Sequence, residues 1–135
     1  MRFEGTLHKE GKYWAVQFAP MGVHTQGRSK KEALEMAKDA IETLVDKEGF
    51  NVLVELIGET FFAVSAKDEK ILIGAILKRK RILQGLTAQQ VAKSMHQKSA
   101  TGYLRYEQGK ISLSLKKLGE ILIAMNPANK PVIKI

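Results

Sequence analysis

Hydrophobic and polar positions change period along this chain, and the changes mark its elements. Over residues 3–9, Phe3, Gly5 and Leu7 fall on one side of an extended segment, and Glu4, Thr6 and His8 on the other. Glu10-Gly11-Lys12 is a tight connection into residues 13–18, where Trp14, Val16 and Phe18 alternate with Ala15 and Gln17. That pattern predicts a β-hairpin. Pro20-Met21-Gly22 makes the next turn, and residues 23–27 supply a short third strand. The period then shifts to about 3.6. Ser29 and Glu32 form a capping box, and Ala33, Leu34, Ala37, Ile41, Leu44 and Val45 make one apolar stripe on a helix that stops at Gly49. Residues 51–57 and 60–65 read as strands around a Gly58-Glu59 turn, and Phe61-Phe62 opens the second of them. Three strands, a helix and one or two further strands predict a small sheet with one helix packed on a face.

Beyond Ala66-Lys67-Asp68-Glu69 the pattern is helical, with Asp68 placed to cap a helix near Glu69. A basic helix over 71–84 carries Lys78-Arg79-Lys80-Arg81. Thr87 and Gln90 make a second capping box, opening a short helix over 88–95 with Val91, Ala92 and Met95 on its apolar side. A polar break, His96-Gln97-Lys98, follows. Ser99 is positioned to cap a second short helix, whose Tyr103 and Tyr106 share a face and whose end is Gly109. An apolar helix over 114–125 comes next, stopped by Asn126-Pro127. Residues 131–135 alternate like a strand. Two short amphipathic helices joined by a tight turn predict a helix-turn-helix, whose second helix is the type that enters a DNA major groove. Standing alone, the same pattern also fits an ordinary helical hairpin.

Charge favours the DNA reading. The net charge is +8, unevenly divided. Residues 1–70 hold ten Lys/Arg and twelve Asp/Glu, a net −2, while residues 71–135 hold twelve Lys/Arg and only Glu107 and Glu120, a net +10. A solvated basic face normally has acids interspersed; this half nearly lacks them, which reads as a nucleic-acid module joined to a different unit. Glu107 is expected on the inner side as a structural acid. Other chemistry finds no foothold. There is no phosphate-binding glycine loop, and His8, His24 and His96 have no metal-ligand spacing. Zero cysteines exclude disulfides and thiolate zinc sites and fit a reducing, cytoplasmic setting. No run of about 18 apolar residues predicts a membrane span. Glu4, Glu55 and Glu59 form a candidate two-metal carboxylate set, with exposed sheet positions as the simpler account. Trp14, Phe61 and Phe62 are expected in the core.

The first half, with KYWAVQFAP followed by VHTQGRSKKEALEMAKDAIETLV, resembles the HicB antitoxins of bacterial type II toxin–antitoxin systems, in which a hairpin and a TQG turn (Thr25-Gln26-Gly27) lead into an EALE helix (Glu32-Ala33-Leu34-Glu35). The second half, through GLTAQQVA and RYEQGK, is similar to the Xre/Cro-type helix-turn-helix that some HicB proteins carry. The pattern and charge predict an α+β fold with an α+β unit over 1–66 and an all-α helix-turn-helix and dimerisation unit over 67–135; the resemblance implies that the first unit is partial RNase H-like, without nuclease carboxylates. It implies that the first unit binds and occludes a HicA-like mRNA-cleaving toxin and that the second binds the double-stranded operator of its own operon. Between Ala92 and Glu107 this chain is one residue longer than many Xre-type patterns.

These readings converge on a non-catalytic, cofactor-free antitoxin and autorepressor. A ligand-sensing regulator is the alternative, and a nuclease built on the first unit a third reading. For DNA, Lys98 and Lys110 are expected at phosphates, and Ser99, Thr101 and Arg105 at phosphates or base edges. Gln89 on the preceding helix completes the set. Leu115, Leu118, Leu122 and Met125, with the 131–135 tail, are the expected contact of a homodimer or higher homo-oligomer. Glu4, Glu35 and Glu42 are the expected outward acids facing a basic toxin.

Overall fold

A computed structural model describes residues 1–128 and Val132. Five strands form one antiparallel sheet: β1 (Phe3–Glu10), β2 (Tyr13–Phe18), β3 (Val23–Gly27), β4 (Val52–Leu56) and β5 (Phe61–Ala66), in the order β3-β2-β1-β5-β4. A 3-10 turn, Ala19–Met21, links β2 to β3. The helices are α1 (Lys30–Val45), α2 (Glu69–Leu83), α3 (Ala88–Ser94), α4 (Thr101–Glu107) and α5 (Leu115–Met125). The fold is α+β, with the helix-turn-helix in the C-terminal part. The strand-like alternation of residues 131–135 lies, except for the exposed Val132, outside the described residues.

Period-two alternation delivers Leu7, Val16, Phe18, Val52, Phe62 and Val64 to one face of the sheet, where Ala33, Ala37 and Ile41 of α1 meet them. Each fully buried Leu, Ile, Val or Phe in this layer contributes about 1.5–3 kcal/mol. Gly5 stands opposite Phe62 on the neighbouring strand. A Cβ on Gly5 would lie 2.1 Å from the Phe62 ring, so the missing side chain is what lets that ring lie flat across β1. Phe18 and Phe62 have ring centroids 6.5 Å apart.

Ser29 caps helix α1 as expected, its hydroxyl accepting from Glu32 N–H at 3.1 Å, but the capping box does not close: Glu32 Oε1 accepts from Arg28 N–H at 3.2 Å rather than from Ser29 N–H. It ends earlier than expected, at Val45 rather than Gly49, because Asp46 takes the left-handed conformation (φ 51°). Leu44, assigned to the apolar stripe, is exposed at the stripe's margin. Phe61 is likewise exposed, because adjacent strand positions face opposite sides and Phe62 takes the inward one. Trp14 is half-buried, with Lys30 Nζ 4.9 Å from its ring centroid. Glu42, expected as an outward acid, is instead half-buried: its Oε2 accepts from Lys38 Nζ at 2.6 Å and from Val52 N–H at 2.9 Å, joining α1 to β4. Burial works to raise the Glu42 carboxyl, but these two bonds outweigh it and hold it below its ordinary range.

Helix α2 belongs to both cores. Its cap is Asp68, whose Oδ1 accepts from Ile71 N–H at 3.4 Å. Leu72 and Ile76 enter the sheet layer, while Leu77 joins Val91, Tyr103, Ile121 and Met125 in a second cluster inside the helical half. Helix α2 is therefore a wall shared by the two cores. Arg79 Nε reinforces the join by donating to Met21 O at 3.1 Å.

Candidate nucleic-acid interface

Helix α3 starts with a complete capping box: Thr87 Oγ1 accepts from Gln90 N–H at 3.1 Å, and Gln90 Oε1 accepts from Thr87 N–H at 2.8 Å. Met95 is its C-terminal cap rather than its last helical residue. His96 follows at φ 61°, and Gln97 N–H donates back to Ala92 O at 2.9 Å. This closure is a Schellman-type stop, with a histidine where glycine is usual. Ser99 does not cap α4. The chain bends through residues 98–100, the helix starts one residue later, and its N-cap is Ala100, without a side-chain bond. At the other end Gly109, at φ 71°, lets Lys110 N–H reach Arg105 O at 3.0 Å.

The inner side of α4 is fixed by three contacts. Tyr103 is buried in the second cluster and Tyr106 packs beside it. Gly74 of α2 meets the end of α4 so closely that a Cβ there would lie 2.4 Å from Glu107 O and 2.5 Å from Tyr106 O. Glu107 takes a bidentate bond from Arg81 of α2, Nε to Oε2 at 2.7 Å and Nη2 to Oε1 at 3.0 Å, while Arg81 Nη1 donates to Leu86 O at 3.0 Å. One guanidinium thus ties α2, the loop before α3 and the end of α4 together. The side chains are 13% and 4% exposed. The Glu107 bond holds the Arg81 proton more tightly than usual, against the opposing effect of burial. The Tyr103 hydroxyl is buried beside this pair without a hydrogen bond of ordinary geometry. Burial first, and the Glu107 carboxylate second, push its ionisation above the normal tyrosine range.

Glu107 is thus the internal acid that its isolation among cations suggested. Arg81, by contrast, is one of four consecutive cations in the basic helix, and the structure turns it inward. Consecutive helical residues are 100° apart, so Lys78-Arg79-Lys80-Arg81 cannot share a face. Arg79 and Arg81 are the two that make internal bonds.

The six residues expected at DNA lie on or beside one surface. Thr101 and Arg105 are one turn apart on exposed positions of α4. Lys98 and Ser99 are exposed in the turn before α4, and Lys110 is exposed just after it. Gln89 is exposed on the first turn of α3, and its amide donates to Lys98 O at 3.4 Å, bridging α3 to that turn. Among the described residues, Lys98, Arg105 and Lys110 make no salt bridge. The surface therefore combines free cations with a helix whose orientation is fixed from within. Among the described residues no group of three His, Asp or Glu is placed to hold a metal ion, and no helix is long and apolar enough to cross a membrane. Comparison with curated proteins gave no match. Residues 77–126 match the helix-turn-helix family model, which supports DNA binding and transcription regulation as the work of this part of the chain.

Proposed function

We propose that the protein is an antitoxin and autorepressor, which masks a HicA-like mRNA-cleaving toxin with its sheet unit and binds its own operator through α4. The acid-free surface of α4 carries the DNA half of this reading, with the Arg105, Lys98 and Lys110 side chains in no salt bridge among the described residues and Glu107 withdrawn to the inner side. The charge division and the KYWAVQFAP and TQG resemblance support the toxin-binding half. A homodimer doubles the short recognition helix across two half-sites about one DNA turn apart. Its contact is read as the exposed Leu115 with the half-buried Leu118 and Leu122, whereas Met125 is committed to the protein's own core.

Operator binding titrated at several salt concentrations tests the DNA half. Lys98→Ala is expected to lower the salt slope by about 1 per protomer, and Arg105→Ala to cost about 1–3 kcal/mol if it reads a guanine. Unchanged binding in the double variant removes the assignment. Co-expression with the small basic protein of the neighbouring reading frame tests the other half: rescue of growth supports it, and no rescue refutes it.

The ligand-sensing alternative has one observation in its favour, an apolar groove of about 230 Å³ where Met1, Phe3 and Pro20 meet Leu115, Leu118 and Leu122. A small molecule that shifted operator affinity by filling it would favour that reading.

A further inference from the structure

The sheet has two faces, and among the described residues only one is covered by helices. Helices α1 and α2 both pack on the Leu7–Phe62 side. On the other side lie Glu4, Thr6 and His8 of β1, Gln17 of β2, and Phe61 and Ala63 of β5, among others, and no described helix packs there. The β4 end of this face is apolar. Leu53 is 56% exposed, Ile57 48% and Phe61 43%, although each is a residue type that sheets normally bury. Glu4 and Glu55 flank Ala63 in one cross-strand row, and Glu59 stands in the turn between β4 and β5. Within the strands no Lys or Arg points to this side; Arg2, Arg28 and Lys67 stand just beyond the strand ends.

Strand β4 is also an edge. Val52 N–H points away from β5, donating to Glu42, whereas Ile57 N–H points toward it, donating to Phe61 O at 3.0 Å. In an antiparallel ladder the two directions alternate, so Val54 and Leu56 present their N–H and C=O groups to the open edge. No described hydrogen bond reaches those N–H groups. An edge with unpaired backbone groups and exposed apolar side chains on both of its faces (Leu56 is 46% exposed on the inner one) is a template for another strand. The opposite edge differs: β3 shows only His24 and Gln26 on the outer face.

We infer that the β4 edge is the docking site for an extended strand of a basic partner protein, which pairs with Val54 and Leu56 and buries Leu53, Ile57 and Phe61 while its cations meet Glu4, Glu55 and Glu59. Main-chain pairing gives such a contact its affinity and the alternate side chains its specificity. The acidic rim fits a basic partner and repels nucleic acid. It also disfavours a second copy of this chain, because two-fold pairing of β4 with itself sets the two Glu55 side chains opposite or diagonal to each other. The identity of that partner as the toxin rests on the antitoxin reading above.

The test uses the full chain with the small basic protein of the neighbouring reading frame as probe. Leu56→Pro removes an N–H that no described bond uses and that an edge strand tolerates losing, yet it blocks an incoming strand. Glu55→Lys reverses the charge at the centre of the rim. Both variants are expected to keep the wild-type circular dichroism and operator binding, and to bind the probe at least about tenfold more weakly. Gln26→Lys, at the far end of the same face, is expected to bind as wild type does. Wild-type-like probe binding by Leu56→Pro and Glu55→Lys overturns the edge assignment and leaves the antitoxin reading standing. Failure of the unaltered protein to bind the probe refutes that reading and the inference with it. A wild-type dimer that Leu56→Pro converts to monomer identifies the edge as a self-contact and overturns the assigned occupant.

Discussion

Replacing Glu107 with alanine is expected to cost the protein about 3–5 kcal/mol, because the Arg81 guanidinium then remains inside without its counter-charge. Three features of the geometry place the loss in that range rather than at the 0–1 kcal/mol of exposed ion pairs. Both side chains are nearly enclosed, at 13% and 4% exposure. The bond is bidentate, at 2.7 and 3.0 Å. Arg81 is also held by its third contact, Nη1 to Leu86 O at 3.0 Å, so it cannot swing out to water without releasing the loop before α3. Domains of this size have about 5–15 kcal/mol of stability in total, so the variant is expected to be only marginally folded. Urea unfolding followed by far-ultraviolet circular dichroism measures the loss. Trp14 fluorescence, reporting from the sheet unit, shows whether the two clusters unfold together through their shared helix α2. The companion variant, Arg81→Met with Glu107→Leu, removes both charges at similar volume and is expected to recover most of the loss. A cost below about 1 kcal/mol for Glu107→Ala, or a double variant as unstable as the two single losses added together, would refute the argument.

Gly74→Ala gains up to about 1 kcal/mol of helix propensity but drives a Cβ to 2.4 Å from a backbone oxygen of α4. The clash is expected to win, at a net cost of about 1–3 kcal/mol with weakened operator binding; a stabilised variant would show that α2 and α4 are not so close. Tyr103→Phe removes a buried hydroxyl that lacks a good hydrogen bond and is expected to leave stability unchanged or raise it by about 1 kcal/mol, so a clear loss in urea unfolding would mean that the hydroxyl is bonded. Glu42 titrates below 4.5, its ordinary value, so the stability it contributes is complete above that pH and disappears as pH falls through the lower folded value. Glu42→Gln is therefore expected to reduce the fall in melting temperature between about pH 5 and pH 3, and an acid limb as steep as in the wild type would count against it.

The sequence by itself determined the elements and their order. The Ser29 cap, the capping box at Thr87, the period-two hairpin, Asp68 before α2 and Gly109 after α4 are local signals, read from spacing because each acts within one or two turns of backbone. Local signals were also where small errors arose. Ser99 is chemically suited to cap α4, but the longer turn at His96 moves the cap to Ala100 and the helix start to Thr101. Glu107 stood out because it is nearly alone among cations. What only the tertiary structure decided depends on distant partners. Arg81 and an operator-facing cation look identical in sequence until Glu107, 26 residues on, is brought to 2.7 Å. Glu42 looks like a surface acid until β4 offers it the Val52 N–H. The division of α2 between two cores could not be seen either, since its apolar positions show that it is buried on more than one side but not against what. Nor could the open β4 edge, because strand order, not strand pattern, determines which backbone groups remain unpaired.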